Sequence, residues 1–217
     1  MKQAIRWTVL CLIGAVATAA MAQQGADQIN INGQLVLAAR GGLVPRVKAL
    51  LEQGASVNSR DRNGDTPLNM ASARANAPMV AALLGAGADP NLPNIAGVTP
   101  LMGAAFAANE EIFRSLLAAG ARTEPVDRVH KNAATYAAAN GCTGCIRALV
   151  AAGVQVNARL ENDLTLLMWA AAYGHEDTVK LLLEQGAERK ARDARGKSAA
   201  DMAREGKHLA LASLLDS

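Results

Sequence analysis

The sequence predicts an all-α solenoid of about six 33-residue helix–turn–helix units with finger loops. Three observations predict it. Gly54, Gly87, Gly120, Gly153 and Gly186 stand 33 residues apart. A second series, Leu35, Leu68, Leu101, Ala134, Leu167 and Ala200, keeps the same step. A fixed period between ~20 and ~50 residues marks stacked units, each too thin to bury its own apolar face. Composition agrees: 51% of the residues are hydrophobic, yet only two Trp, two Tyr and two Phe occur. Thin layers of paired helices are filled by Ala and Leu and do not need aromatic bulk.

The units begin near Ile29, Asp61, Asn94, Asp127, Leu160 and Asp193, giving 29–60, 61–93, 94–126, 127–159, 160–192 and 193–217. Each opens on a turn. The clearest copies are Asn63-Gly64-Asp65-Thr66-Pro67-Leu68 and Ala96-Gly97-Val98-Thr99-Pro100-Leu101. Thr66 and Thr99 are placed to cap a helix whose first position is Pro, where the missing N–H costs nothing. The first helix carries an Ala pair, such as Ala104-Ala105 or Ala170-Ala171, small enough for neighbouring helices to approach closely. The second helix ends in Leu50-Leu51, Leu83-Leu84, Leu116-Leu117, Leu149-Val150 or Leu182-Leu183, an apolar stripe for burial. The periodic glycine follows, at the position that favours a left-handed backbone. In the fourth unit Asn132-Ala133-Ala134 replaces Thr-Pro-Leu. Losing a buried Leu costs about 2 kcal/mol or more, so this unit is expected to open first.

These landmarks resemble the ankyrin-repeat family over residues 29–216. The family's T-P-L-H histidine is replaced throughout, by Val36, Asn69, Met102, Thr135, Met168 and Asp201, and only Gly174-His175 keeps the later Gly-His pair. Some hydrogen bonds between units are therefore expected to be missing. The resemblance implies a concave face of fingers and first helices that holds other proteins. Carried over by position, its contact slots are Arg60, Arg62, Asn63, Asp65 and Arg74 in the second unit and Ile95, Val98 and Phe106 in the third. They are Arg128, Val129, Lys131 and Asn140 in the fourth, and Arg159, Glu161, Asn162, Leu164 and Tyr173 in the fifth. Ile95, Val98 and Phe106, flanked by arginines, read as an exposed hot spot, because apolar anchors beside Arg dominate binding energies.

Residues 1–22 read as a secretory signal: Lys2 and Arg6, an apolar run from Trp7 to Ala20, then Ala20-Met21-Ala22 before Gln23. The run is short of the ~20 residues that span a bilayer. Cys11 has no small residue at a processing site before it, which argues against a lipid anchor. Residues 23–28 read as a short flexible leader. Export to the periplasm or beyond is the expectation, with no membrane attachment after cleavage. Removing Lys2 and Arg6 leaves 20 basic residues against 19 acidic ones. That balance argues against a nucleic-acid binder. The one basic cluster, Arg189, Lys190, Arg192, Arg195 and Lys197, reads as a solvated tip.

The one chemically suggestive motif is Cys142-Thr143-Gly144-Cys145. In an oxidising compartment it invites a local disulfide; two packed thiols and a redox pair are the other readings. Zinc would need two further ligands. By repeat position, Cys142 stands at the mouth of a second helix and Cys145 faces the core. His130, His175 and His208 occupy different slots or units and do not converge. Glu110-Glu111 and Glu176-Asp177 begin second helices, where they suit the helix dipole. The spaced glycines make no phosphate cradle. Trp169 shares its slot with Met70 and Met202 and reads as core. The sequence thus points to a non-enzymatic, monomeric protein-interaction module that carries no cofactor or metal and binds another protein. Two alternatives stay open: a thiol-redox or oxidative-stress factor using Cys142 and Cys145, and a secreted effector.

Overall fold

The computed structural model describes residues 31–216. The signal (1–22), the leader (23–28) and the start of the first unit at Ile29 lie outside the described residues. The described chain is all helical apart from its turns and loops. Helix α1 covers residues 31–40 of the described chain. It is followed by α2 (Val44–Glu52), α3 (Pro67–Ala73), α4 (Ala77–Gly85), α5 (Pro100–Phe106) and α6 (Glu110–Ala118). Then come α7 (Ala133–Ala139), α8 (Thr143–Ala151), α9 (Leu166–Ala172), α10 (Glu176–Glu184), α11 (Ala199–Glu205) and α12 (Leu209–Asp216).

Each first helix starts where a capping side chain stands. Thr66, Thr99, Thr165 and Ser198 accept the backbone N–H of Asn69, Met102, Met168 and Asp201 at 3.2–3.3 Å. In the fourth unit Asn132 does the same for Thr135 at 2.9 Å. An Asn side chain caps as well as Thr, so α7 begins on schedule without Thr-Pro. The second helices end at Gly54, Gly87, Gly120, Gly153 and Gly186, whose φ lies between +81° and +91°. A Cβ is strained in that region, and this accounts for the period of the glycines.

The helices form two rows. In one, α3, α5, α7, α9 and α11 pack on one another in order; in the other, α2, α4, α6, α8 and α10 do so. Within a unit the two helices also pack together. Leu35, Leu68, Leu101, Ala134, Leu167 and Ala200 all lie in one continuous core. Each buried Leu contributes about 1.5–3 kcal/mol. Ala134 is itself sealed from solvent, so the fourth unit closes around its smaller side chain.

Polar ties between units run along the finger side. Asn58, Asn91 and Asn157 share a slot and accept the backbone N–H of Asp89, Arg122 and Glu188 at 2.8–3.0 Å. Asn91 and Asn157 also donate to the carbonyls of Gly120 and Gly186. Arg60 and Arg159 each reach a carbonyl of their own finger and one of the next unit, at Pro93 (2.6 Å) and Arg192 (2.8 Å). Neighbouring fingers join by backbone bonds of 2.9 Å: Ile95 to Asn63, Arg128 to Ala96, Ala194 to Asn162. The missing T-P-L-H histidine is made good at Asn69, which is buried and donates to the carbonyls of Leu92 and Val98 at 3.2 Å.

Between the fourth finger (124–131) and the fifth (157–164) the asparagine, arginine and backbone ties are absent among the described residues. Glu124 stands in the Asn slot and Val126 in the Arg slot. No backbone bond joins their fingers among the described residues. His130 stands in the slot of Gly64 and Gly97, with φ +57°. A Cβ at Gly64 would lie 3.0 Å from the Ile95 nitrogen, and one at Gly97 would lie 2.9 Å from the Asp127 Cα. Glycine leaves room for the next finger at those two places; His130 and Asp163 carry a Cβ in the same slot, and after Asp163 the bond from Ala194 to Asn162 is still made. What remains is on the helix side: His175 Nε2 meets the Ala139 carbonyl at 2.9 Å, and Thr143 Oγ1 meets Thr178 Oγ1 at 2.9 Å. Solenoid stability sums over such interfaces. Amide exchange over residues 127–164 is expected to outpace that over 61–117. Glu124→Asn, which supplies the absent bridge, is expected to slow it and to raise Tm by about 2–4 °C, the shift that about 1 kcal/mol gives in a domain of this size. Calorimetry and hydrogen-exchange mass spectrometry measure both.

Candidate protein-binding face

The fingers and first helices make one face. Each finger is folded on a side chain at its first position. Asp61 Oδ1 accepts the N–H of Asn63 and Asp65, Asp127 Oδ1 those of Val129 and Lys131, and Asp193 Oδ1 those of Arg195 and Lys197, all at 2.8–2.9 Å. Asn94 does this for Val98 at 3.0 Å. Burial opposes the charge on Asp61. The amides of Asp65 and Asn63 and the Arg40 guanidinium at 2.7 Å outweigh it, and hold that carboxyl below its usual range. Leu160 cannot make such a turn. The fifth finger instead runs through a short 3₁₀ turn, Glu161–Asp163, with Asn162 and Asp163 at φ +57° and +59°.

The contact slots divide into three groups. Ile95, Phe106, Val129 and Tyr173 stand out from the face, 54–61% exposed. Arg62, Asn63, Arg128, Glu161 and Asn162 are exposed as well, with Glu161 at 3.9 Å from His130. A second group is tied into the scaffold. Arg60 and Arg159 spend their guanidinium groups on the carbonyls described above. Arg74 donates to the Arg40 carbonyl, Asn140 to the Tyr136 carbonyl, and Asp65 accepts from Asn94. The third group is half-buried: Lys131, Val98 and Leu164. Val98 and Leu164 pack against the core and are not exposed anchors, because their slot lies at the base of the finger, just before the first helix. The hot spot of Ile95, Val98 and Phe106 therefore reduces to Ile95 and Phe106.

Trp169 also departs from its sequence reading. It is half-buried on this face and not in the sealed core. Its ring stacks beside Tyr173 at 6.2 Å, and Lys131 Nζ lies 4.9 Å over it. The slot has Gly103 two units earlier and Tyr136 one unit earlier, so side chains too large for the gap between first helices emerge onto the surface. Tyr136 meets Phe106 edge-on at 6.1 Å. An aromatic row thus runs across units three to five: Phe106, Tyr136, Trp169 and Tyr173. Sequence reasoning missed Tyr136. Its position 33 residues before Trp169 was the available signal.

The cysteines lie away from this row. Cys142 caps α8, Cys145 sits one turn on, and their sulfurs are joined in a disulfide with both residues buried. Among the described residues no group of three His, Cys, Asp or Glu could hold a metal ion, and no helix is long and apolar enough to cross a membrane. The basic cluster of the last finger is largely paired: Arg195 with Asp193 at 2.9 Å, Lys197 with Glu205, and Arg192 near Asp201 at 3.9 Å.

Two rows of short paired helices, capped at Thr-Pro and closed by a left-handed glycine every 33 residues, are the architecture to which a family model described as ankyrin repeats (3 copies) answers. That model matches residues 35–127, 72–159, 101–193 and 134–216. The chain belongs to the ankyrin-repeat family. A comparison with curated proteins finds no match. Ankyrin repeats are protein–protein interaction modules and generally not enzymes.

One ionisable group on the face reports its packing. The Tyr136 hydroxyl donates to Asp127 Oδ2 at 2.5 Å. Burial first, then that hydrogen bond and the Asp127 charge, push its pKa up to about 12. The unfolded chain ionises near the ordinary value of about 10. The bond's contribution is therefore whole below pH ~10 and is lost as pH rises toward ~12. Urea unfolding at stepped pH is expected to show a fall in stability across that window, and Tyr136→Phe to remove this component.

Proposed function

We propose that this ankyrin-repeat chain is an exported, non-enzymatic module that binds a partner protein through its finger and first-helix face in the periplasm or beyond. The observation that carries the reading is Phe106, 61% exposed on a stack whose core is otherwise closed. It shares the third unit with the exposed Ile95 and meets Tyr136 of the next unit. Scattered apolar residues are ordinary on a surface; a run of aromatics and β-branched residues along one functional face is what binding anchors look like. Export is supported by Lys2, Arg6, the apolar run to Ala20 and Ala20-Met21-Ala22. A disulfide between Cys142 and Cys145 suits an oxidising compartment. Both residues are buried, which favours a local clip at the start of α8 over a reactive thiol pair.

Phe106→Glu is expected to weaken capture of the partner from the periplasmic fraction while leaving stability within about 0.5 kcal/mol, as for other surface changes. Co-purification compared with the melting curve measures this. Undiminished capture by a folded variant removes Phe106 from the site. Mature protein is expected to begin at Gln23 on N-terminal sequencing; recovery with residues 1–22 intact refutes the export reading.

A further inference from the structure

We propose that the partner presents an acidic, extended segment carrying a large apolar side chain, and that this segment lies along the tips of the second, third and fourth fingers. The inference rests on the protein-binding reading above and names the chemistry of its partner. The three finger tips place Arg62, Ile95 and Arg128 in one slot, 33 residues apart, so a cation, an apolar group and a cation stand in a row. The fingers that carry them are locked side by side by the bonds from Ile95 to Asn63 and from Arg128 to Ala96. The row is therefore built in advance, and ordering it costs a partner little.

The charge of this row is uncompensated. Arg62 and Arg128 are exposed and meet no carboxylate among the described residues. The nearby acids face inward. Asp61 is bound to Arg40 and to two backbone amides. Asp65 accepts from Asn94. Asp127 is buried and takes two amides and the Tyr136 hydroxyl. These carboxylates are consumed in making the fingers, so the charged tips of the second and fourth fingers are guanidinium groups; Glu161 continues the slot on the fifth finger, 3.9 Å from His130, and bounds the row. Opposite charge on a partner steers encounter and sets register.

The apolar members decide between acidic protein and nucleic acid. A phosphate backbone is held by a continuous cationic track. Here Ile95 and Val129, 55% and 59% exposed, interrupt the cations, and Phe106 is exposed on the first helix of the same unit as Ile95. They gain from burial only against a side chain that is itself apolar. Arg presents a planar fork that pairs carboxylates in bidentate fashion, which fits Asp or Glu on either side of that side chain.

The test is selection of a displayed random-peptide library on the mature protein, followed by binding of the enriched peptides measured by fluorescence anisotropy. Enrichment of Asp- or Glu-rich peptides with a Leu, Phe or Trp is expected. Their affinity is expected to fall as salt is raised, and to fall about tenfold or more in Arg62→Glu/Arg128→Glu. The milder Arg62→Gln/Arg128→Gln provides the same comparison if the reversal perturbs folding. Neutral or basic peptides that bind through Ile95 and Phe106, indifferent to the arginines, overturn this inference and leave the protein-binding reading standing. Failure to enrich any peptide counts against both. Tighter binding of a single-stranded oligonucleotide than of any peptide, or self-association through this face in sedimentation, also overturns it.

Discussion

Each helix pair in this protein hides its apolar side only against the next pair. A unit of two short helices has no interior of its own, and Leu68 or Leu101 is sealed only because a neighbouring unit lies across it. Everything else follows from that dependence. Small residues line the first helices so that layers can close. The glycine after each second helix turns the chain back at a φ that L-residues avoid. Stability then accumulates interface by interface along the stack.

The interfaces are not equal. Apolar packing is continuous through the core, but hydrogen bonds on the finger side depend on one residue per slot. An Asn, an Arg and a Gly recur there, and all three are replaced on the fourth finger, which faces the fifth: Glu124, Val126 and His130. At Gly64 and Gly97 a Cβ would crowd the following finger. The helix side of that boundary keeps its ties through His175 and through the Thr143–Thr178 pair. The stack is thus fastened on one side and open on the other at a single place. The aromatic row crosses that place, with Lys131 of the fourth unit lying over Trp169 of the fifth.

The binding face shows a division of labour among like residues. Arg60 and Arg159 are architectural, because their slot lies within reach of two carbonyls. Arg62 and Arg128, two residues or fewer from such slots, point away and remain available. The same division holds for acids. Those that begin a finger are consumed by its amides, while Arg62 and Arg128 stay exposed.

The period of 33, the caps, the turn glycines and the core leucines were all legible in the sequence, because they are local requirements repeated in every unit. The resemblance to ankyrin repeats followed from the same residues. Which surface slots are open was not legible there. Val98 and Leu164 matched the contact positions of the family yet pack inward, and Trp169 matched core positions yet emerges. The repair by Asn69 was equally hidden, since it depends on where the carbonyls of Leu92 and Val98 come to lie. Secondary structure and stacking order are decided by neighbours in the chain. Exposure and pairing are decided by the packing of one unit upon the next, and only the tertiary structure brings those groups within reach.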